Sequence, residues 1–259
     1  MSAATTRAAI TLVRGGHVLT MGPLGEIADG AVAIVGDLIA GVGTFADLSR
    51  KYPDALVVGD AYGIVIPGLV NAHTHMSEAL LPGMAEKLSI WVWGARLLAP
   101  TMPHLTREMA HIGTLFRGAE LIRSGVTTFN DMFCHSNPCD FASLGVVDGI
   151  EELGLRGVSC FGAEDIAWGT SAALPVTRII EEHRALAERC ASAKRVGFRV
   201  GVGTIIGQTD ELLEASSELA RSMGRGIHTH LAEVREEKTA AQLRWGNSTV
   251  LRAEAAGIL

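Results

Sequence analysis

The sequence predicts an α/β chain: a small all-β unit, then a parallel sheet with helices outside it, arranged as an incomplete (β/α) barrel. Three observations carry this. The 259 residues are 48% hydrophobic and 19% charged, with 30 glycines, and mean hydropathy is +0.28, which suits parallel strands buried on both faces. The rhythm of apolar runs changes at Pro67, from closely spaced bursts to strand-length runs alternating with helical patterns. Two histidine pairs, His73-Thr74-His75 and His228-Thr229-His230, sit on such strand-length runs.

Residues 1–66 read as the β unit, part of a β-sandwich. Short apolar bursts such as Ile10–Val13, Val18–Met21 and Ala31–Val35 are separated by turn residues, and Gly36-Asp37 reads as a tight hairpin before Leu38–Val42. Residues 67–259 read as the barrel part. Strands are predicted at Leu69–His75, Gly125–Phe129, Gly157–Phe161, Val196–Gly203 and Ile227–Leu231. Helices are predicted at Leu80–Ala99, Thr106–Ser124, Phe141–Leu153, Pro175–Ala193 and Thr209–Met223, with one or two more over Glu233–Ala256. In the second of these, Met109, Ile112, Leu115, Phe116, Ala119 and Ile122 keep a 3.6-residue stripe. Thr209 is the expected N-cap of the helix after strand four. A closed eight-stranded barrel takes roughly 30 residues per strand–helix unit; residues 68–259 would fill about six such units and five strands are counted, so the barrel is two or three strands short.

Charge and cysteines narrow the function classes. The formal net charge is −6, with no basic cluster, which argues against nucleic-acid and anionic-membrane partners. Four cysteines without regular spacing predict reduced thiols and a cytoplasmic protein. Met1–Arg7 lacks the pattern of a signal peptide. No apolar run reaches the ~18 residues of a membrane span; the longest, Ala31–Gly43, is interrupted by Asp37.

The histidine pairs point to chemistry. Side chains at i and i+2 of an extended segment share a face, so His73 and His75 converge as half of a transition-metal site. A second pair downstream is the natural place to look for the rest.

Val65-Ile66-Pro67-Gly68-Leu69-Val70-Asn71-Ala72-His73-Thr74-His75 resembles the first barrel strand of the amidohydrolase superfamily. Gly125-Val126-Thr127-Thr128-Phe129-Asn130-Asp131-Met132 is similar to its second strand, and His228-Thr229-His230-Leu231-Ala232-Glu233 to its fifth. The similarity runs from about Ile10 to Leu259 and is strongest to the deaminase and chlorohydrolase branch. The resemblance implies a TIM-type barrel, His73, His75 and His230 as ligands of one divalent ion (zinc or iron), and Glu233 as a catalytic proton shuttle. It implies hydrolysis of a C–N or C–Cl bond in an amino- or halo-substituted N-heterocycle by metal-activated water. Strand four, Val196–Gly203, carries no lysine to hold a second metal, which favours the mononuclear branch.

The chain also departs from the family pattern. It has no histidine after His230 and no aspartate after Asp210, where the family places strand-six and strand-eight functional groups. The expectation is a truncated member that forms a homo-oligomer or is completed by a further segment. The alternative is a catalytically incomplete fragment serving in assembly or binding. The loop Gly203–Gln208 lacks the histidine common among nucleoside deaminases of this branch, which argues against a nucleoside substrate.

Other residues read more plainly. His228 faces the same way as His230, deeper in the strand, as a supporting or packing group. Asp131 reads as lining the barrel mouth or capping a loop. Of Trp91 and Trp93, at i and i+2, at most one is expected to face a pocket. Cys134, His135 and Cys139 match no common zinc spacing. His17, His104, His111 and His183 read as surface or packing residues.

Overall fold

The computed structural model describes residues 9–167 and 173–259; the segment Met1–Arg7 read above for a leader lies outside them. By internal contacts the chain divides into two compact units, Met1–Gly68 and Leu69–Leu259.

In the first unit, β1 (Ile10–Leu19), β2 (Glu26–Val35) and β3 (Leu38–Thr44) form an antiparallel meander, with β4 (Leu56–Gly59) and β5 (Ile64–Val65) parallel to β1. The Gly36-Asp37 turn joins β2 to β3 as expected. Helix α1 (Phe45–Lys51), capped by the Thr44 hydroxyl accepting from Asp47 N–H, places Leu48 on a small core of Leu12, Ala31 and Ala33.

The second unit alternates strand and helix. Strands β6 (Leu69–Thr74), β7 (Val126–Phe133), β8 (Arg156–Phe161) and β9 (Val196–Phe198) form a parallel sheet in that order. Strand β10 (Val200–Thr204) pairs in parallel with β11 (Ile227–His230). The single strand expected over 196–203 is therefore split at Arg199. Arg199 N–H donates to Ser159 O of β8 while Val200 N–H donates to Gly226 O beside β11, so the run changes partners at that residue. Counting β9 and β10 as one, five barrel-type strands follow one another, as the sequence predicts. No helix among the described residues is long and apolar enough to cross a membrane.

The segment after β6 corrects the helix expected over 80–99. A 3-10 turn covers Met76–Leu80, and helical structure resumes only at α2 (Ile90–Trp93), continuing through π-type turns at Gly94–Leu98 into α3 (Ala99–Thr101). Pro82-Gly83 interrupts the pattern, and Lys87 adopts a left-handed φ of 64° that a helix does not tolerate.

Helix α4 (Arg107–Arg123), N-capped by Thr106, forms where the sequence predicts it, with its apolar stripe turned outward. Met109, Ile112, Phe116 and Ile122 are 47–53% exposed, whereas Ala110, Gly113, Thr114, Gly118 and Leu121 are buried. Small residues face inward because backbones approach closely: a Cβ on Gly145 of α5 (Leu144–Leu153) would lie 2.0 Å from the Arg107 carbonyl oxygen. Helices α6 (Val176–Ser192), α7 (Asp210–Met223), α8 (Arg235–Trp245) and α9 (Thr249–Ala255) complete the unit. Thr209 caps α7 by accepting from Leu212 N–H, as expected. The core joins Phe129, Phe133 and Phe161 of β7 and β8 to Ile150, Ile179 and Leu186 of α5 and α6. It fixes the strand ends on which the histidines stand.

Candidate metal centre

β6 and β11 are edge strands of two separate sheets, yet the side chains at their C-terminal ends meet. His73 Nε2 lies 3.2 Å from His75 Nε2 and 3.2 Å from His230 Nε2. One donor atom from each of the three imidazoles lies within 4.8 Å of the others. The rings of His75 and His230 stack at 5.3 Å, and His73 meets both edge-on.

The opposite ring nitrogens set which lone pairs face the centre of the cluster. His75 Nδ1 is 2.6 Å from Met132 O, and His230 Nδ1 is 2.7 Å from Gly203 O. A carbonyl only accepts, so each Nδ1 carries the proton and each Nε2 presents a bare lone pair. His73 Nδ1 has its own partner, His228 Nε2, at 2.9 Å. Burial holds His75 and His73 neutral: it pushes His75 down to about 4, and lowers His73 with help from the adjacent His230. Neutral imidazoles whose lone pairs face one another repel unless a cation lies between them. The donor set therefore fits a divalent transition metal with nitrogen ligands.

A pocket opens beside the triad. Its wall includes His75 and His230, the indoles of Trp91 and Trp93, and Glu78 and Glu233. Both tryptophans face it, which corrects the expectation of one. They sit on the single turn α2, with Val92 between them turned outward at 37% exposure, so neither serves as packing for a long helix. Thr204 and Ile206 line the pocket from the loop Gly203–Gln208, which carries no histidine.

Glu233 follows Ala232, whose φ is 54°. The carboxylate of Glu237 holds this turn by accepting from Ala232 N–H at 3.0 Å and Glu233 N–H at 2.8 Å. Asp131 is fully buried, and its Oδ1 accepts from Met76 N–H at 2.8 Å, tying the end of β7 to the residue after His75. It is thus a clamp on the turn beyond β6. Burial raises its carboxyl to about 7. Glu78, likewise pushed to about 7 by burial, was not singled out from sequence. Its signal was present, since it follows His75 at the same offset by which Glu233 follows His230. His183 is buried between Phe161 and Phe198, in the core.

The family model described as "Amidohydrolase family" matches residues 64–256. The chain belongs to the amidohydrolase family. A second, shorter match, to an imidazolonepropionase-like composite domain of bacteria, covers residues 30–55. This amidohydrolase is 30% identical over 229 residues to a 5-methylthioadenosine/S-adenosylhomocysteine deaminase of Desulfovibrio desulfuricans, covering 88% of this chain and 50% of the relative. It is 34% identical over 211 residues to a 5'-deoxyadenosine deaminase of Methanobrevibacter smithii, covering 80% and 45%. Among solved structures, a zinc-bound adenosine deaminase from Xanthomonas campestris aligns with a TM-score of 0.80 at 22% identity, covering 96% of this chain and 55% of that one. An atrazine chlorohydrolase from Arthrobacter aurescens, complexed with zinc, aligns with a TM-score of 0.81 at 20% identity, covering 96% and 58%. These likenesses show the amidohydrolase fold. The chain spans about half the length of the curated relatives it matches.

Proposed function

We propose that the protein is a mononuclear metal-dependent hydrolase, acting on a C–N or C–Cl bond of an amino- or halo-substituted N-heterocycle. The observation that carries this reading is the convergence of three Nε2 lone pairs from β6 and β11, two of them fixed by carbonyls behind the ring. His73, His75 and His230 would hold one divalent ion, zinc or iron, and the zinc in the solved neighbours named above favours zinc. When bound, such an ion supplies Lewis acidity and brings the pKa of water to about 7.

This chain's own groups account for the remaining work. Trp91 and Trp93 offer flat apolar surface against which a planar heterocycle stacks. Glu233 borders the same pocket and has the chemistry of a proton carrier. It takes a proton from the attacking water and gives it to a ring nitrogen; as the C–N or C–Cl bond breaks, the second water proton passes to the leaving amine, which departs as ammonia, or is released alongside chloride. The names of the relatives, deaminases of adenosine-type compounds, favour an amino leaving group; the loop Gly203–Gln208, which carries no histidine, favours a heterocycle without a sugar.

The test is a panel of amino- and chloro-substituted heterocycles on zinc-loaded protein, with ammonia and chloride measured together. Glu233→Gln is expected to keep the metal and lose turnover, and His230→Ala to lose both. Undiminished turnover by the His230→Ala variant at full metal occupancy overturns the reading.

A specific feature favours a second reading. Among the described residues β6 pairs only with β7 and β11 only with β10, and Leu69 and Val70 on β6 are 48% and 69% exposed. Unpaired apolar edges recruit further strands. In this reading the chain acts only when a second copy or another polypeptide segment pairs those edges. A turnover number that rises with protein concentration, in step with oligomer formation, supports it; a fully active monomer excludes it.

A further inference from the structure

We infer that His228 is the positioning residue for His73: it fixes which nitrogen of His73 carries the proton and so aims the Nε2 lone pair at the cluster of His75 and His230. The inference rests on the metal-binding reading above and adds to it a role for a residue outside the ligand set.

The three imidazoles of the cluster are not supported alike. His75 and His230 each lean on a main-chain carbonyl, Met132 O and Gly203 O, which cannot donate and so leaves no choice of tautomer. His73 is the exposed ring of the three, with no carbonyl behind it. Its Nδ1 instead faces His228 Nε2 at 2.9 Å. A histidine behind a histidine is ambiguous, because either nitrogen can be the donor.

The ambiguity is removed one step further back. His228 Nδ1 lies 3.4 Å from Cys160 Sγ. The Cys160 thiol is itself directed at Asp131 O, 3.1 Å away on the neighbouring strand β7. Its single proton has two acceptors on β7, that carbonyl and, at the longer distance of 3.5 Å, the Met132 Sδ; neither can donate, and with the proton on the nearer carbonyl, sulfur lone pairs are what it turns toward His228. Cys160 is fully buried, and burial raises its thiol well above the usual range, so the proton stays on sulfur.

Donation then runs one way: His73 Nδ1–H to His228 Nε2, His228 Nδ1–H to Cys160 Sγ, and Cys160 S–H to Asp131 O. Three strands, β6, β11 and β8, contribute a side chain each, and β7 contributes the terminal carbonyl. The chain ends on rigid backbone, as the supports of His75 and His230 do directly. Without His228 the exposed His73 ring is free to rotate and to place its proton on Nε2, where it blocks coordination. Partners behind a metal-bound histidine typically change metal affinity by about 10–100-fold.

The experiment uses the full chain, titrated with zinc and, for its visible spectrum, cobalt(II). His228→Leu removes the acceptor at similar volume, and His228→Gln keeps an acceptor within reach of His73 Nδ1. The expected result is a loss of affinity of about 10–100-fold in His228→Leu and recovery of most of it in His228→Gln. The cobalt spectrum should be altered only in His228→Leu. Equal affinity and an identical spectrum in wild type and His228→Leu overturn the inference. Failure of the wild type to bind either metal overturns the underlying metal reading instead, so the two failures are distinct. Should His228→Leu not fold, imidazole nitrogen NMR on the metal-loaded wild type decides. A proton on His73 Nδ1, hydrogen-bonded to His228, supports the inference, and coordination through His73 Nδ1 removes it.

Discussion

Gly203 faces Gly162 with no room for a side chain between them: a Cβ on Gly203 would lie 2.1 Å from the Gly162 carbonyl oxygen. The close approach of β10 to the end of β8 matters because Gly203 O is the acceptor that orients His230. Substituting Gly203→Ala must push the backbone, and overpacking of this kind costs about 1–3 kcal/mol. The expected outcome is a lower Tm together with weaker zinc binding. Gly197→Ala is the control, since its Cβ would meet Val158 Cγ2 at 3.5 Å and Gly157 O at 3.9 Å, both ordinary contacts. Its Tm and zinc affinity should stay near those of the wild type.

Metal should stabilise the fold measurably. A ligand that binds only the folded state at 100 times its Kd adds about 2.7 kcal/mol. Calorimetry with and without zinc should show a clear rise in Tm for the wild type and none for His230→Ala. Equal rises in both would mean that the ion binds elsewhere.

The turn that carries Glu233 is held at a cost. Ala232 has a left-handed φ of 54°, worth roughly 1 kcal/mol or more of strain in an L-residue. Glu237, 5% exposed, offsets it by accepting from two backbone N–H groups. Glu237→Ala strands both donors and should destabilise the protein by about 1–3 kcal/mol. Turnover should fall with it while zinc affinity holds, because the proposed ligands precede the turn. Ala232→Gly should be neutral or stabilising.

Asp131 predicts a pH dependence of stability with a definite sign. Burial places its folded pKa at about 7, above its ordinary 3.8. The folded state therefore binds this proton more tightly than the unfolded state. The stabilisation is complete below pH 3.8 and is lost progressively as pH rises through about 7. Asp131→Asn keeps an oxygen acceptor for Met76 N–H and cannot ionise. Denaturant melts from pH 4 to 8 should show a smaller fall in stability with rising pH in this variant. Parallel curves would show that Asp131 does not titrate in this window.

The outward stripe of α4 makes the opposite kind of prediction. Phe116 is 53% exposed, so Phe116→Ser should change the stability of the isolated chain by less than about 0.5 kcal/mol. A large loss of stability, or dissociation of an oligomer, would identify that face as a buried contact in solution.

The sequence by itself determined what local rules can carry. Alternation at i and i+2 paired His73 with His75. Turn residues ended the strands, hydroxyl caps began α4 and α7, and the order of strands and helices followed from the apolar rhythm. These features depend on neighbours a few residues away, where backbone geometry is almost fixed. Tertiary structure decided the rest. The two parallel sheets are placed so that His230 meets His73 across 157 residues, and no periodicity encodes that placement. The inward face of α4 was set by how closely the Arg107 backbone approaches Gly145, not by which stripe was more apolar. The strand over 196–203 broke at Arg199 because two neighbouring strands compete for its hydrogen bonds. His228 gained its role from Cys160 and Asp131 on strands distant in sequence. Such contacts depend on packing distances of a few ångströms between remote segments, and composition and spacing do not specify those.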